Sequence, residues 1–391
     1  MKPHHRILFL QFVLALSMGA LLSRLPDLQL KLGLTEGQLG FLLVAMSAGA
    51  LFGLTFSIRL VERLGARITA FVTIFGASTL FAMIPWMQSA LFAAPLFFVA
   101  GLLAGAFEIN ANLETDRHEA LLGYRIMSRS HGMWSLGFFV TAFIAAGVRQ
   151  AAISIELHTF VVLVVVVIAG WIVFSRIESA PRRADGHDGD TPLFAFPTIG
   201  LLPICLIGAA PLFAEGAGVD WSAIYMRDVF AVEPFVGGLS VTIFSLLIAL
   251  ARLTMDPVVD RFSPRAVATT LLSIASIGLV TVATAPHPYV ALLGFAFMGI
   301  GCSSVYPLAI SAAARRGDRP ASVNVAALGQ MTFVVFFAGP PLLGFVAEHF
   351  GIRFSYWTVV PVIVAALVVT KALAAAPMPE LSEPEPALPP D

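Results

Sequence analysis

Glu108 and Asn112 stand four residues apart at the end of an apolar stretch, "GLLAGAFEINAN", and "EGAGVDW" sets Glu215, Asp220 and Trp221 inside another. An ionisable group in a bilayer-spanning helix costs about 3 kcal/mol or more, so it persists where it faces a cavity or a partner. Gly101, Gly105, Glu108 and Asn112 recur at spacings of four, three and four and therefore share one helix stripe. The small residues let a neighbouring helix approach, and the acid and amide then face protein or water. A carboxyl group held there can take up and release a proton. Glu108 can equally be read as a solvated boundary residue, because the apolar run ends at Phe107. In EGAGVDW, Gly216 and Gly218 weaken a helix, Glu215 shares a stripe with Ser222, and Asp220 points elsewhere. Trp221 has two readings, an interfacial belt residue or a ring stacked on an apolar ligand face. Tyr306, Asn324 and Gln330 are lesser candidates for the same polar lining, while His131 reads as a capping or packing group.

The elements that must position these groups are membrane helices. The chain is 58% hydrophobic and 12% charged, against about 25% charged in soluble domains. Walking along its 391 residues gives twelve apolar runs, near 7–28, 36–58, 68–87, 90–112, 127–149, 156–175, 196–221, 235–256, 266–285, 288–312, 321–346 and 354–376. The basic, apolar opening reads as the first helix rather than a secretion signal, because its run continues past position 20. Eighteen of the 23 Lys and Arg fall on the same side as the termini, leaving Arg24, Lys31, Arg149, Arg227 and Arg353 opposite. The positive-inside rule then puts both termini in the cytoplasm.

A net charge of −1 is partitioned across the membrane and indicates no nucleic-acid partner. Cys205 and Cys302 lie within spans and read as packing thiols. No metal-ligand spacing, phosphate-cradling loop or nucleotide motif occurs, so the expectation is a protein that is not an enzyme and needs no cofactor.

The polar insert "RIESAPRRADGHDGDTP" divides the chain, giving six-helix units at 1–175 and 196–376, a cytoplasmic linker at 176–195 and an acidic, Pro-rich tail at 377–391. The units overlay at a constant shift of 198 residues, pairing "VERLGAR" with "VDRFSPR", Ser47 with Ser245, Gly101 with Gly299 and Phe139 with Phe337. Parallel six-helix repeats about an axis along the membrane normal are the architecture of major facilitator transporters. "RLVERLGAR" resembles that superfamily's loop signature, with Glu62 in place of the usual Asp and Ile58 in place of a Gly.

"FEINAN" at 107–112, "DWSAIYMRDVF" at 220–230 and the turn "DRFSPR" further resemble the fucose-permease branch and a group of poorly characterised bacterial inner-membrane relatives. That branch carries an acid on its first helix four residues before a Pro. Here the position is Leu22, and its shift partner is Asp220. The resemblance implies an all-α membrane protein, two pseudo-symmetric six-helix bundles alternating access around a midplane site. It implies a monomer moving a small polar solute, such as a sugar or polyol, driven by a proton gradient. An exporter of the same fold and a transport-inactive sensor or scaffold are the alternatives.

On this reading Glu108, Asn112, Glu215, Asp220, Trp221, Tyr306, Asn324 and Gln330 serve proton coupling or substrate. Arg24, Asp27 and Glu215 form an outer gate, Arg24 pairing with Glu215 or Asp220 unless it snorkels to the interface. Glu62, Arg63, Arg67, Arg252, Asp256, Asp260 and Arg261 form a cytoplasmic gate.

Overall fold

The computed structural model describes residues 3–124, 126–174, 180–181 and 195–374; the linker, apart from 180, 181 and 195, and the acidic tail lie outside the described residues. Sixteen α-helices follow one another with no strand among the described residues. In the first half these are α1 (Pro3–Leu22), α2 (Leu25–Leu32), α3 (Glu36–Phe56), α4 (Ile58–Met83), α5 (Ala90–Leu122), α6 (Met127–Gln150) and α7 (Ile155–Phe174). The second half holds α8 (Leu202–Gly216), α9 (Ser222–Phe230), α10 (Pro234–Thr254), α11 (Asp256–Arg261), α12 (Pro264–Thr284), α13 (Pro288–Cys302), α14 (Val305–Ala314), α15 (Ala321–Phe350) and α16 (Ile352–Val368).

Local chemistry explains the ends. Thr35 and Gln38 form a capping box on α3, the Ser263 hydroxyl accepts from Ala266 N on α12, and Pro234, Pro264 and Pro288 open three helices of the second half. Inside α4 the chain turns at Gly65, whose φ of 77° favours glycine, so the "VERLGAR" stretch is a sharp corner between two spans.

Eleven stretches are long and apolar enough to cross a membrane, and Ile352–Val368 is a shorter apolar helix of 17 residues. The chain is a multi-pass membrane protein. Its helix ends repeat at the 198-residue shift: Glu36 and Pro234 begin corresponding helices, as do Ala90 and Pro288, and Leu32 and Phe230 end the corresponding helices α2 and α9. Helices pack mainly within their own half. The halves meet where α6 lies against α10, where α3 lies against α15, and where α2 touches α9.

The seventh run differs from expectation. Its span covers Leu202–Phe230, with a π-turn at Ala217–Trp221 joining α8 to α9. Gly216 and Gly218 therefore do not end the helix. EGAGVDW sits in mid-span, with Glu215 about 20 Å from Leu202 at 1.5 Å per residue. The fourth run likewise continues to Leu122, which places Glu108 about 21 Å inside the helix end. The end of the bundle that carries Leu122, Phe174 and Leu202 is termed the linker end below, and the opposite one the far end.

Candidate functional site

On α5 the stripe foreseen from spacing is continuous, but its neighbours change along it. Gly101 and Gly105 are covered by α3, where an added Cβ would strike Met46 O and Ala50 O. One to two turns on, Glu108 Oε1 accepts a hydrogen bond from Asn112 Nδ2 (2.9 Å) and lies 3.9 Å from His131 Nδ1 on α6. Glu108 and His131 side chains remain 31% and 42% exposed. Tyr306, from the second half, lies within electrostatic reach of Glu108 and hydrogen-bonds Thr332, so the acid looks across the seam between the halves. Nothing in the spacing of His131 marked it as the neighbour of Glu108, because the two approach only when α5 packs on α6.

Glu215, in mid-span, meets Arg252 from the last turn of α10. Arg252 Nη2 donates to Glu215 Oε2 (3.1 Å), Nε to Ser303 O (2.9 Å) and Nη1 to Ser135 Oγ (3.1 Å). One guanidinium thus ties α10 to α8, to the break between α13 and α14, and across the seam to α6 in the first half. Both side chains of the pair are 18% exposed. Arg252 lies in the last turn of α10, two residues before that helix ends. One expectation is corrected here. Glu215 does not pair with Arg24, because the helix runs on past it and leaves it well below the far end.

Asp220 follows within the π-turn. It is half-buried and makes no hydrogen bond or ion pair among the described residues. The turn itself is held by Tyr356 on α16, whose hydroxyl donates to Ala217 O (3.1 Å). Tyr356 packs edge-on to Tyr225 and Phe295, which makes an aromatic wall behind the turn. A π-turn inserts a residue into the ladder and re-aims its side chains. Trp221 is 1% exposed, with its ring against Gly344 and no partner for Nε1 among the described residues. It therefore belongs neither to a lipid-facing belt nor to an open stacking platform in this conformation.

Arg24 is buried and binds Asp27 and Ile153 O (2.9 Å), while Arg149 Nε donates to Asp27 Oδ1 (2.6 Å). That cluster joins α2, the end of α6 and the loop before α7 inside the first half and does not reach Glu215 or Asp220. The cross-seam cation at the far end is instead Arg227, which donates to Pro26 O (3.2 Å) and Gln29 Oε1 (2.9 Å).

Asn324 and Gln330 bond within the second half and to the linker's end. Asn324 Nδ2 donates to Asp318 Oδ1 (3.0 Å) at the linker end, and Gln330 Oε1 accepts from Ala195 N (2.8 Å) where the linker enters the second half. Arg63 and Arg67 are exposed, and Arg261 lies over the Phe262 ring. The side chains of Glu62, Asp256 and Asp260 lie outside the described residues.

Two half-chains of membrane-spanning helices with ends repeated at one shift, joined along a seam that carries acids and an arginine, form a two-bundle multi-pass membrane protein. The family model of the Major Facilitator Superfamily matches residues 204–389. An uncharacterised MFS-type transporter of Yersinia pestis is 25% identical over 86% of this chain and 87% of its own length. The crystal structure of a mutant of the nucleoside transporter NupG superposes with a TM-score of 0.73 at 15% identity, covering 95% of this chain and 100% of that one. That of a D-xylose–proton symporter gives 0.69 at 14% identity, over 95% and 99%. The second half of the chain thus matches the Major Facilitator Superfamily model, and a relative similar to it over most of its length is named as an MFS-type transporter.

Proposed function

We propose that this protein moves a small polar organic solute across the bacterial inner membrane by alternating access, and that proton exchange at Glu108 drives it. In this reading Ile352–Val368 and the short turn after it form a twelfth span. Both termini are cytoplasmic, and units 1–175 and 196–376 rock about the seam as a monomer.

The observation that carries the proposal is the state of Glu108. It lies deep in its helix, partly open to the seam, with the Asn112 amide and the His131 imidazole close by. An acid so placed can hold a proton when the seam is dry and lose it when access changes. His131 beside it is a second proton-accepting group. Arg252, neutralised by Glu215, supplies a fixed donor array at the same depth. A solute rich in hydroxyl groups can use both donors and acceptors of this kind. NupG is a nucleoside transporter, and the xylose protein couples a sugar to protons; both favour such a solute.

Uptake into proteoliposomes across a panel of sugars, polyols and nucleosides, with and without an imposed pH gradient, tests this. Gradient-driven accumulation of one solute class should appear and should be abolished in Glu108→Gln, while solute exchange persists. Accumulation that ignores both the gradient and the substitution would end the proton assignment.

A further inference from the structure

Gln150 is the last residue of α6 and Glu348 lies in the last turn of α15, and the 198-residue shift relates them. Each reaches into the other half. Gln150 Oε1 accepts from Phe235 N (3.0 Å) in the first turn of α10, and its Nε2 donates to Glu233 Oε2 (3.2 Å). Glu348 Oε2 accepts from Gly37 N (3.1 Å) in the first turn of α3 and from Thr35 Oγ1 (3.1 Å). Gly37 and Phe235 are shift partners, and so are Thr35 and Glu233, the two N-cap residues. The first N–H groups of a helix have no acceptor within it and carry the positive end of the helix dipole. At the far end of this molecule both acceptors come from the opposite half.

We propose that these two reciprocal caps are the latch that holds the far end of the transporter shut, and that the amide-for-carboxylate exchange between the copies lets both close. Glu348 only accepts when ionised and meets the donor hydroxyl of Thr35. Gln150 both accepts and donates, and meets Glu233, which only accepts. Steric provision is symmetric as well: Gly40 and Gly238 are shift partners, and an added Cβ would strike Pro340 O on α15 from the first and press on Ala146 on α6 from the second. Water can satisfy the same N–H groups when the halves part, so each cap is worth only about 1 kcal/mol net and can reopen in every cycle. A carboxylate at position 150 would face that of Glu233, whereas an amide at 348 still accepts from Gly37 N.

Pulsed electron-spin distances test the latch in the full-length protein reconstituted in nanodiscs. Labels go on Gln88→Cys and Thr284→Cys, exposed far-end positions in opposite halves, in a background with Cys205 and Cys302 changed to Ala. The unmodified latch should give one dominant short distance. Gln150→Glu should raise the ratio of long to short distances about fivefold, which is the loss of one cap, because the new carboxylate faces that of Glu233. Adding Glu233→Gln should restore the short distance, and Glu348→Gln should stay within about twofold of the parent. The proposal is overturned by an unchanged distribution in Gln150→Glu, by a double variant as open as the single, or by Glu348→Gln opening as far as Gln150→Glu. Failure of both Gln150→Glu and its Glu233→Gln partner to give folded protein also overturns it. Because the readout is a distance, it does not depend on which solute moves or on what drives it.

Discussion

Replacing Arg252 by alanine should strand Glu215 in mid-membrane and loosen three contacts at once. The guanidinium makes hydrogen bonds of 2.9, 3.1 and 3.1 Å to Ser303 O, Ser135 Oγ and Glu215 Oε2. Removing one partner of a fully buried ion pair costs about 3–5 kcal/mol, chiefly because the other charge is left uncompensated. Here 18% of each side chain remains accessible, so water can reach the stranded carboxylate, and a loss of about 2–3 kcal/mol is expected. That corresponds to roughly a 30- to 150-fold fall in the folded-to-unfolded ratio.

Denaturant titration in detergent, followed by tryptophan fluorescence, gives the number directly. Arg252→Ala with Glu215→Ala should lose clearly less than the sum of the single changes, because neither charge is then stranded. Single losses that add to within about 0.5 kcal/mol, or an Arg252→Ala variant as stable as the parent, would refute the reasoning. Uptake assays on the same variants separate the roles. A purely structural pair leaves solute selectivity unaltered in the double variant, whereas a donor array for the solute does not.

Gly101→Val should abolish monodisperse protein on size exclusion, since the new side chain must enter Met46 O on α3, at an overpacking cost of about 1–3 kcal/mol or more. Gly147→Val, with nothing within 4 Å of its added Cβ, should behave as the parent. Tyr356→Phe leaves Ala217 O in the π-turn without its buried donor, and thermal unfolding should show a loss of about 1–2 kcal/mol.

At the linker end, hydrogen bonds from Arg316 first, then Asn324 and Thr198, hold the Asp318 carboxyl well below the usual carboxylate range. A folded value below the unfolded one means the tie is complete above about pH 4 and weakens only as pH falls towards the folded value. Intrinsic-rate-corrected hydrogen exchange at residues 198–202 should therefore be flat from about pH 8 to about pH 5. It should rise throughout that range in Asp318→Asn; a slope within that range in the parent would contradict the assignment.

The sequence by itself determined the solvent this protein lives in and its internal repetition. Long apolar runs can satisfy their backbones in lipid only as helices, and the repeat of "VERLGAR" in "VDRFSPR" at 198 residues is carried faithfully into the helix ends. Glu108, Asn112, Glu215 and Asp220 could be singled out because a charge in an apolar run is conspicuous. What each of them faces could not, since hydrophobicity reports depth poorly when a helix continues through glycines and an acid, as it does through Gly216, Gly218 and Asp220.

Pairing was decided by tertiary structure. Glu215 finds Arg252 rather than Arg24, His131 comes to Glu108, and Gln150 and Glu348 cap helices of the opposite half. These contacts join residues 23 to 311 positions apart in sequence. Spacing along a chain fixes which residues share a face of one helix, but only the way two helices are laid against each other fixes which faces meet.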